Sequence, residues 1–467
     1  MSNFSYSAEV LQINADDKTP VGLYANLRQI FPETLLLECV EARSLETAAS
    51  YICADPIARF SIKNGAAVIE QKGRKIAETK LNTPENLTTA FNEFQNNIEI
   101  ENRSSTQDLT GLFGYVGFSA IPFLEDITFF KAPPVGESIP ALQFALYRYV
   151  LRFDHYRHTL TAVQLHDSDQ TALNLNELLT KITMRRAIEF PFKSNGSELS
   201  EMSDADFAEK VKICQHHIQR GDVFQIVPSR KFVQNYSGDE FQVYRALRRI
   251  NPSPFLFFYD YGAFSLFGSS PEAQLIVKNN VATLHPIAGT YPRGVDEAED
   301  RQFASNLQND AKETAEHTML VDLARNDLGR HCRQIHVEKF KQTELYSHVI
   351  HLVSKVTGKL NDRINAFRVL ADTFPAGTLS GAPKYRAMQI LNKIEPSARS
   401  FYGGSVGFFG LDGSCTQAIM IRSFLAKNRK LVFQAGAGIV ADSVPETETA
   451  EVRNKLAALR RAIEAAE

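Results

Sequence analysis

The stretch VYRALRRINPSPFLFFYDYGAFSLFGSSPEAQLIV, residues 243–277, carries the strongest signal for the fold. Its short apolar and aromatic runs are separated by Asn-Pro, Tyr-Gly and Ser-Pro breaks, which is a pattern of β-hairpins. Elsewhere helices and short strands alternate without the regular strand–helix–strand order of a parallel sheet. We therefore expect an α+β fold with largely antiparallel sheets.

The chain is long enough for one very large domain or two coupled domains, with 467 residues of which 44% are hydrophobic. The polar segment FKSNGSELSEMSD, residues 192–204, has the Ser, Gly, Asn and Glu content of a linker. We predict the main internal boundary there, so that residues 1–190 and 195–467 form separate regions.

Composition and charge exclude several classes of function. The net charge is −3, the pI is near 6.4 and no basic run is long, so we expect neither a nucleic-acid nor a membrane partner. The N-terminus lacks the charged and apolar regions of a signal peptide, and no apolar run is long enough to span a bilayer. Five cysteines without a CxxC pair argue against disulfides or a zinc site and predict a cytoplasmic protein.

Two helices have clear start signals. Ser203 with Asp206 three residues later resembles a capping box, and an apolar helical face follows. Pro445 can begin a final helix with a second apolar face.

Two further segments are predicted near a ligand. DVFQIVPSRKF, residues 222–232, has the pattern of a strand, in which Gln225 points away from the face shared by Phe224 and Ile226. TLHPIAGTYPRG, residues 283–294, contains two prolines and two glycines, which predicts a loop that lines a ligand site.

Glutamates in two helical segments allow two interpretations. Glu316 lies four residues after Lys312, and Glu451 lies four residues before Lys455, so simple ion pairs are the reading that spacing favours. The alternative is that one glutamate from each helix holds Mg²⁺, which commonly takes one or two protein carboxylates.

Arg422, in the apolar run QAIMIRSFL, is the residue whose structural explanation is weakest. An unpaired guanidinium on a hydrophobic strand is costly, so it needs a buried carboxylate partner or an anionic ligand. Glu272 in SSPEAQLIV is by default a solvated glutamate, and His351 in HVIHLVSKV a core histidine. The glycines of QAGAGIVADS either form a turn or bring N–H groups to an anion.

Taken together, the motifs resemble the chorismate-utilising enzymes, and most closely their anthranilate synthase branch. The resemblance rests on HPIAGTYPRG, EHTMLVDLARNDLGR, HVIHLVSKV, FPAGTLSGAPKYRAMQIL, YGGSVGFF, QAIMIRS and QAGAGIVADSVPETE, which occur in this order. It implies two packed, largely antiparallel β-sheets that enclose the active site, with helices outside. Residues 195–467 would form the chorismate-binding catalytic domain, and residues 1–190 would contribute an allosteric tryptophan site.

The resemblance also implies a lyase that converts chorismate and ammonia into anthranilate and pyruvate, the first committed step of tryptophan biosynthesis. Glu316 and Glu451 would hold Mg²⁺. Glu272 would be a general acid whose pKa is raised by desolvation, and it would protonate the departing C4 hydroxyl. The remaining implied substrate contacts are Arg422, Tyr402, Gly436, Gly438 and Lys455 at the ring carboxylate, and His351 and Thr378 at the ring and its leaving groups.

Two positions separate the branches of this family. Gln225 stands where water-using relatives carry a lysine base, and an amide cannot deprotonate water. Ala288, followed by Gly289 and Thr290 in the substrate-lining segment, stands where relatives that make 4-amino-4-deoxychorismate carry a nucleophilic lysine. Both favour anthranilate synthase; a 4-amino-4-deoxychorismate synthase is the nearest alternative, and a catalytically inactive binding subunit is an alternative of another class.

TLLLEC and NPSPFLFF resemble the tryptophan-binding segments of the family, which implies feedback inhibition. Glu38 would bind the amino group, while Pro254 and Leu256 would wall the indole. Cys39 replaces the usual serine and is a poorer hydrogen-bonding group, which weakens the expected inhibition. No glutaminase nucleophile turn is present, so a separate glutamine amidotransferase subunit is expected to supply the ammonia.

Overall fold

The computed structural model describes residues 4–39, 48–101, 106, 109–129, 131–134, 136–167, 172–184, 187–345 and 349–467. In chain order the strands are β1 (Phe4–Asn14), β2 (Thr34–Cys39), β3 (Ala49–Lys63), β4 (Ala66–Gln71), β5 (Arg74–Lys80), β6 (Ile98–Glu101), β7 (Gly111–Val116), β8 (Leu142–Asp154), β9 (Thr159–His166), β10 (Phe192–Ser200), β11 (Gln225–Ile226), β12 (Ser229–Gly238), β13 (Phe255–Asp260), β14 (Ser265–Ser270), β15 (Ala273–Lys278), β16 (Val281–Leu284), β17 (Ile287–Pro292), β18 (Cys332–Leu345), β19 (Val349–Leu360), β20 (Gly381–Ala382), β21 (Ser405–Gly410), β22 (Cys415–Ile419), β23 (Ser423–Lys427) and β24 (Lys430–Gly436).

The helices lie between these strands and at the C-terminal end. They are α1 (Pro20–Leu27), α2 (Pro84–Asn96), α3 (Leu175–Met184), α4 (Asp204–Gln219), α5 (Phe241–Ile250), α6 (Glu297–Asn309), α7 (Ala311–Gly329), α8 (Ala366–Thr373), α9 (Gly377–Ser380), α10 (Lys384–Ile394) and α11 (Pro445–Glu464), with a 3₁₀ helix at Phe118–Phe123.

Strand pairing forms two large sheets that share the long strands β3 and β8, and β11 and β20 form a separate two-stranded sheet. The first sheet has the order β6–β1–β9–β8–β3–β2–β13–β14–β23–β24–β12–β10. The second has the order β5–β4–β3–β8–β7–β21–β22–β15–β16–β19, with β18 completing the edge and β17 also paired to β19. Within the described part of the chain these pairs are antiparallel, apart from the parallel pair β1–β6.

The two sheets pack face to face, and helices cover their outer faces. Leu37, Phe257, Tyr115 and Val406, from strands of both sheets, belong to one buried cluster between them. A second cluster joins the first sheet to helices α1, α3, α4, α5 and α11, and a third joins the second sheet to α2, α7 and α8. The predicted α+β fold with two antiparallel sheets and outer helices is confirmed.

Two short chain segments cross from one sheet to the other side by side. The first lies between β14 and β15 and contains Glu272, and the second lies between β22 and β23 and contains Arg422. Each crossing lies outside the strand ladders, because the strand before it and the strand after it belong to different sheets. This places two charged side chains at one end of the inter-sheet core.

Strands from residues 1–190 pair directly with strands of the later region. The register pairs Leu37 with Phe257 between β2 and β13, and Gly114 with Gly407 between β7 and β21. The division into regions at residue 190 remains a prediction, but hydrogen-bonded sheet runs across it.

Three sequence interpretations differ from the structure. The presumed linker contains strand β10, paired with β12. The presumed loop at 283–294 contains strand β17, paired with β19 through a bulge at Gly289, whose φ of 72° is left-handed. The strand expected over 222–232 is broken before Pro228, leaving only two residues in β11. There Phe224 is exposed, while Gln225 and Ile226 are both buried, so the expected alternation fails.

The predicted helix starts are confirmed. Ser203 and Asp206 form the reciprocal capping box of α4, and Pro445 is the first residue of α11. No helix in the described ranges is long and apolar enough to cross a membrane.

Candidate active site

Glu272 and Arg422 lie on the two neighbouring crossings. Backbone hydrogen bonds join each of these residues to the strand next to the other crossing. The carbonyl of Glu272 accepts a hydrogen bond from the N–H of Ile419, at 2.9 Å. The carbonyl of Arg422 accepts one from the N–H of Ser269, at 3.1 Å. These bonds fix both backbones although neither residue belongs to a strand.

The Glu272 carboxyl lies in an environment that favours its protonated form. Burial raises its pKa from the ordinary 4.5 to about 7, although the hydrogen bond from Thr378 and the charge of Lys455 oppose the shift. The Thr378 hydroxyl donates to Oε1 at 3.2 Å, and a cavity of about 60 Å³ adjoins both residues. A carboxyl with this pKa can act as a general acid near neutral pH.

Arg422 has a neutral partner. Its Nη1 donates to Oδ1 of Asn251 at 3.1 Å, and among the described residues no carboxylate forms an ion pair with it. Burial lowers its pKa from the ordinary value. Its φ of 48° is left-handed, which is uncommon for a residue with a side chain. Of the two explanations open from sequence, the buried carboxylate partner is not found among the described residues, and the anionic ligand stays a prediction.

Three of the residues predicted around the substrate carboxylate, Tyr402, Gly436 and Lys455, meet at the end of β24. Burial raises the pKa of the Tyr402 hydroxyl, although the nearby Arg399 guanidinium and the Gly436 backbone oppose the shift. Nζ of Lys455 donates to the carbonyl of Gly436 at 3.0 Å and pairs with Glu451 at 2.7 Å. The simple ion pair that spacing favoured for Glu451 is thus present, and it also brings Lys455 to Gly436.

Gln225 is held against the glutamate of α7. Its Nε2 donates to Oε1 of Glu316 at 2.8 Å, in place of the ion pair with Lys312 that spacing suggested. A Cβ on Gly438 would lie 3.0 Å from Nε2 of Gln225, so the glycine leaves the amide room to pack. Oε1 of Gln225 is buried without a partner in the described structure.

Three glutamates from α7 and α11 come near one another. The pKa of Glu313 is raised, first by burial and then by the charge of Glu316, with Glu451 contributing as well. Among the described residues no three His, Cys, Asp or Glu side chains come together closely enough to form a metal site by themselves. A carboxylate of α11 thus lies near those of α7, and Mg²⁺ keeps waters and adds substrate oxygens to a small protein ligand set. Glu316 and Glu451 are the residues that would hold it.

Strand β17 carries Ala288, which has a short side chain, and Gly289, whose carbonyl contacts His351 of β19. Ala288 is buried and pairs with Leu352 on β19. Nδ1 of His351 lies 2.8 Å from the carbonyl of Gly289, so Nδ1 carries the proton, because a carbonyl can only accept. Burial lowers the pKa of His351, which favours the neutral ring. Thr290 pairs with His351 along the ladder, and its side chain lies outside the described part.

A profile of the protein family described as chorismate binding enzyme matches residues 37–461. The chain belongs to the chorismate binding enzyme family. This assignment agrees with a site that combines a glutamate of raised pKa with an arginine that has no carboxylate partner among the described residues.

Curated relatives match this chain over nearly its whole length. The anthranilate synthase component 1 of Acinetobacter calcoaceticus is 36% identical, covering 96% of this chain and 93% of that protein. The protein of the same name from Neisseria meningitidis serogroup B is 37% identical, with the same coverage.

Solved structures give the same picture. The crystal structure of anthranilate synthase component I from Streptococcus pneumoniae TIGR4 is similar with a TM-score of 0.76 and 32% identity, covering 90% of this chain and 94% of that one. MenF, the menaquinone-specific isochorismate synthase of Escherichia coli, shares the fold at 18% identity and a TM-score of 0.74, covering 99% of this chain and 96% of that one.

The residues predicted to bind tryptophan come together on β2 and at the start of β13. Glu38 pairs with Leu256 in the ladder, Cys39 pairs with the residue before it, and Pro254 immediately precedes β13. The side chain of Cys39 lies outside the described part. These positions lie on neighbouring strands of the first sheet, as a shared site requires.

The Glu38 carboxylate already has strong partners. It is buried and accepts hydrogen bonds from Arg248 at 2.9 and 3.0 Å and from the Tyr244 hydroxyl at 2.6 Å. A tryptophan amino group would have to share or replace the arginine. The tryptophan-binding role of Glu38 therefore stays a prediction, and Arg248 would compete with the tryptophan amino group for the carboxylate.

Glu313 was recognised from sequence as part of the carboxylate cluster around Glu316, three residues before it on one helix face, but it was given no role. Sequence reasoning did not identify Asn251 or Arg248. Asn251 and Arg248 depend on partners about 170 and 210 positions away in the chain, which no local pattern shows.

Proposed function

We propose that this chorismate binding enzyme is the synthase subunit of an anthranilate synthase, which converts chorismate and ammonia into anthranilate and pyruvate. The observation that carries the proposal is the site's lack of a lysine at both branch-determining positions. Gln225 offers an amide bound to Glu316, and Ala288 offers a methyl group. Relatives named anthranilate synthase component 1, similar over nearly the whole chain, support the same choice.

The proposed chemistry begins with binding of the ring carboxylate. The Arg422 guanidinium would pair with it, supported by the Tyr402 hydroxyl and by backbone N–H groups near Gly436 and Gly438. Lys455 adds positive charge nearby through its contact with Gly436. The ring then has one fixed orientation relative to Glu272.

Glu272 would donate its proton to the oxygen at C4 of the ring. The C4–O bond breaks with its electron pair on oxygen, and water leaves. Ammonia adds at C2 with its own lone pair and needs no base, which suits the Gln225 amide. Loss of the C2 proton and elimination of pyruvate then form the aromatic ring, with His351 and Thr378 beside the reacting groups.

Mg²⁺ is part of the proposal, with Glu316 and Glu451 as its ligands. When bound, the ion would draw electron density from the ring carboxylate and favour attack on the ring. The same two carboxylates bind Gln225 and Lys455.

The test uses the purified chain with chorismate, Mg²⁺ and an ammonium salt. We expect fluorescent anthranilate and an equal amount of pyruvate. A non-fluorescent product that needs a separate lyase would instead identify a 4-amino-4-deoxychorismate synthase. Tryptophan binding without turnover would identify an inactive binding subunit.

A glutamine amidotransferase subunit is proposed as the physiological source of ammonia, because relatives are named component 1 and the sequence lacks a glutaminase nucleophile turn. The purified chain should therefore use ammonium but not glutamine. Equal activity with glutamine alone would overturn this part.

Feedback inhibition by tryptophan is proposed at Glu38, Cys39, Pro254 and Leu256. The pairing of β2 with β13 supports a shared site, and the Arg248 contact predicts weak inhibition. A cytoplasmic location also stays a proposal; the four cysteines with described side chains are free and buried, which suits a reducing compartment.

A further inference from the structure

Asn251 connects the C-terminal end of α5 to the crossing that carries Arg422. Its backbone N–H donates to the carbonyl of Leu247 at 2.8 Å, which ends the helix. Its side chain is about nine-tenths buried and spans the gap to Nη1 of Arg422, at 3.1 Å. One residue thus links a rigid helix end to the guanidinium.

The orientation of the Asn251 amide follows from its other partners. The Ser269 hydroxyl donates its only proton to the backbone carbonyl of Asn251, so the hydroxyl oxygen can only accept from the Asn251 side chain. Nδ2 of Asn251 donates to that oxygen at 3.1 Å and to the Ser253 hydroxyl at 3.3 Å. With Nδ2 committed to the serines, Oδ1 must face the guanidinium.

Arg422 is thereby fixed at two points. The N–H of Ser269 binds its backbone carbonyl, and Asn251 binds its guanidinium. The left-handed backbone of Arg422 turns its side chain out of the direction that a continuing strand would give. With its backbone bound at one end and its guanidinium at the other, the Arg422 side chain loses most of its freedom.

We propose that Asn251 is a positioning residue for substrate binding: it orients the Arg422 guanidinium while leaving its charge available to an anion. The inference rests on the proposed function, in which Arg422 grips the ring carboxylate. A carboxylate at position 251 would hold the guanidinium more strongly, but it would also neutralise it and compete with the substrate. A neutral amide is therefore the side chain that the role requires.

The test compares Asn251→Asp with Asn251→Ala in steady-state kinetics with chorismate and ammonium. Asn251→Ala loses the orienting bond, so KM for chorismate should rise about tenfold, with kcat nearly retained. Asn251→Asp, which has almost the same shape, should raise KM about 100-fold, and the rise should shrink at low pH as the aspartate is protonated. Binding of the fluorescent product anthranilate should weaken in the same order.

Two control variants separate positioning from a merely structural role. Ser253→Ala removes one contact to Nδ2 and should leave KM within about twofold of the wild type. Ser269→Ala removes the hydroxyl that orients the amide and should raise KM less than Asn251→Ala does. Equal KM values for Asn251→Asp and Asn251→Ala, with no pH dependence of the difference, would overturn the proposal even if both variants fold less stably.

Arg422→Gln distinguishes failure of this inference from failure of the proposed function. If Arg422→Gln leaves KM unchanged, the carboxylate grip itself is wrong. If Arg422→Gln raises KM but Asn251→Asp does not, only the positioning role is wrong. We expect the double variant that combines Asn251→Ala with Arg422→Gln to show no larger KM than Arg422→Gln alone, because Asn251 acts through the guanidinium.

Discussion

Replacing Glu272 by glutamine should remove activity and yet stabilise the fold at alkaline pH. The folded pKa of about 7 lies above the ordinary value of 4.5, so the native state holds its proton more tightly than the unfolded chain. Stability therefore falls as pH rises from about 4.5 to about 7 and is constant above that range. The difference corresponds to about 3 kcal/mol at most, since the carboxyl keeps some accessible surface.

Glutamine mimics the protonated carboxyl and does not titrate. Urea unfolding at pH 4 should give similar stabilities for wild type and Glu272→Gln, whereas at pH 8 the variant should be more stable by up to about 3 kcal/mol. Anthranilate formation should drop about 10²- to 10⁴-fold, as expected for loss of a general acid. The wild-type rate, corrected for the concentration of free ammonia, should decline above pH 7.

Thr378→Val is the matched control for the cause of the shift. Its hydroxyl donates to the Glu272 carboxylate and lowers the pKa, so the variant should move the alkaline decline to higher pH. Equal stability of wild type and Glu272→Gln at both pH values would refute the reasoning, because the raised pKa would then be absent. A variant stabilised equally at pH 4 and pH 8 would point to packing instead.

The remaining predictions concern the metal, the β17 strand and regulation. Glu316→Gln or Glu451→Gln should cut turnover about 100-fold and weaken the apparent affinity for Mg²⁺ in a titration with intact secondary structure; near-normal activity at limiting Mg²⁺ would exclude them as ligands. Ala288→Lys should reduce anthranilate formation by filling the space beside the ring, and full activity would show that the methyl group is not in the pocket. Gly289→Ala should lower the free energy of unfolding by about 1–3 kcal/mol, measured in urea, because a Cβ on this left-handed residue would lie 2.8 Å from a leucine methyl. Arg248→Gln should lower the tryptophan concentration needed for half-inhibition, because the buried glutamate beside it loses its cation; unchanged inhibition would place tryptophan elsewhere.

The fold class could be predicted because its local signals are strong. The capping box of Ser203 and the proline start of α11 depend only on neighbouring residues. Strand β17 was missed because its prolines and Gly289 indicate a turn, whereas pairing with β19 and a bulge keep it in the sheet. Strand β10 was missed because its polar side chains are mostly exposed on the edge of a sheet, where composition resembles a linker.

The candidate site shows the same division. Glu272 and Arg422 could be named from their motifs, and the arginine in an apolar run stood out by physical reasoning alone. Their juxtaposition on neighbouring crossings depends on which strands pair, and so does the Asn251 contact. Local patterns identify the side chains that carry the chemistry, whereas the residues that orient them are fixed by long-range pairing.

The pairing of β7 with β21 has a consequence for synthesis on the ribosome. Val116 pairs with Leu142 of β8 on one side and with Ser405 of β21 on the other, so β7 emerges long before the strand that covers its second edge. Unpaired strand edges and distant contacts slow folding and invite association between chains. Newly made chains should therefore remain open to chaperones until β21 has left the ribosome, and emergence of residues 405–410 should be the step that makes the nascent protein resistant to protease.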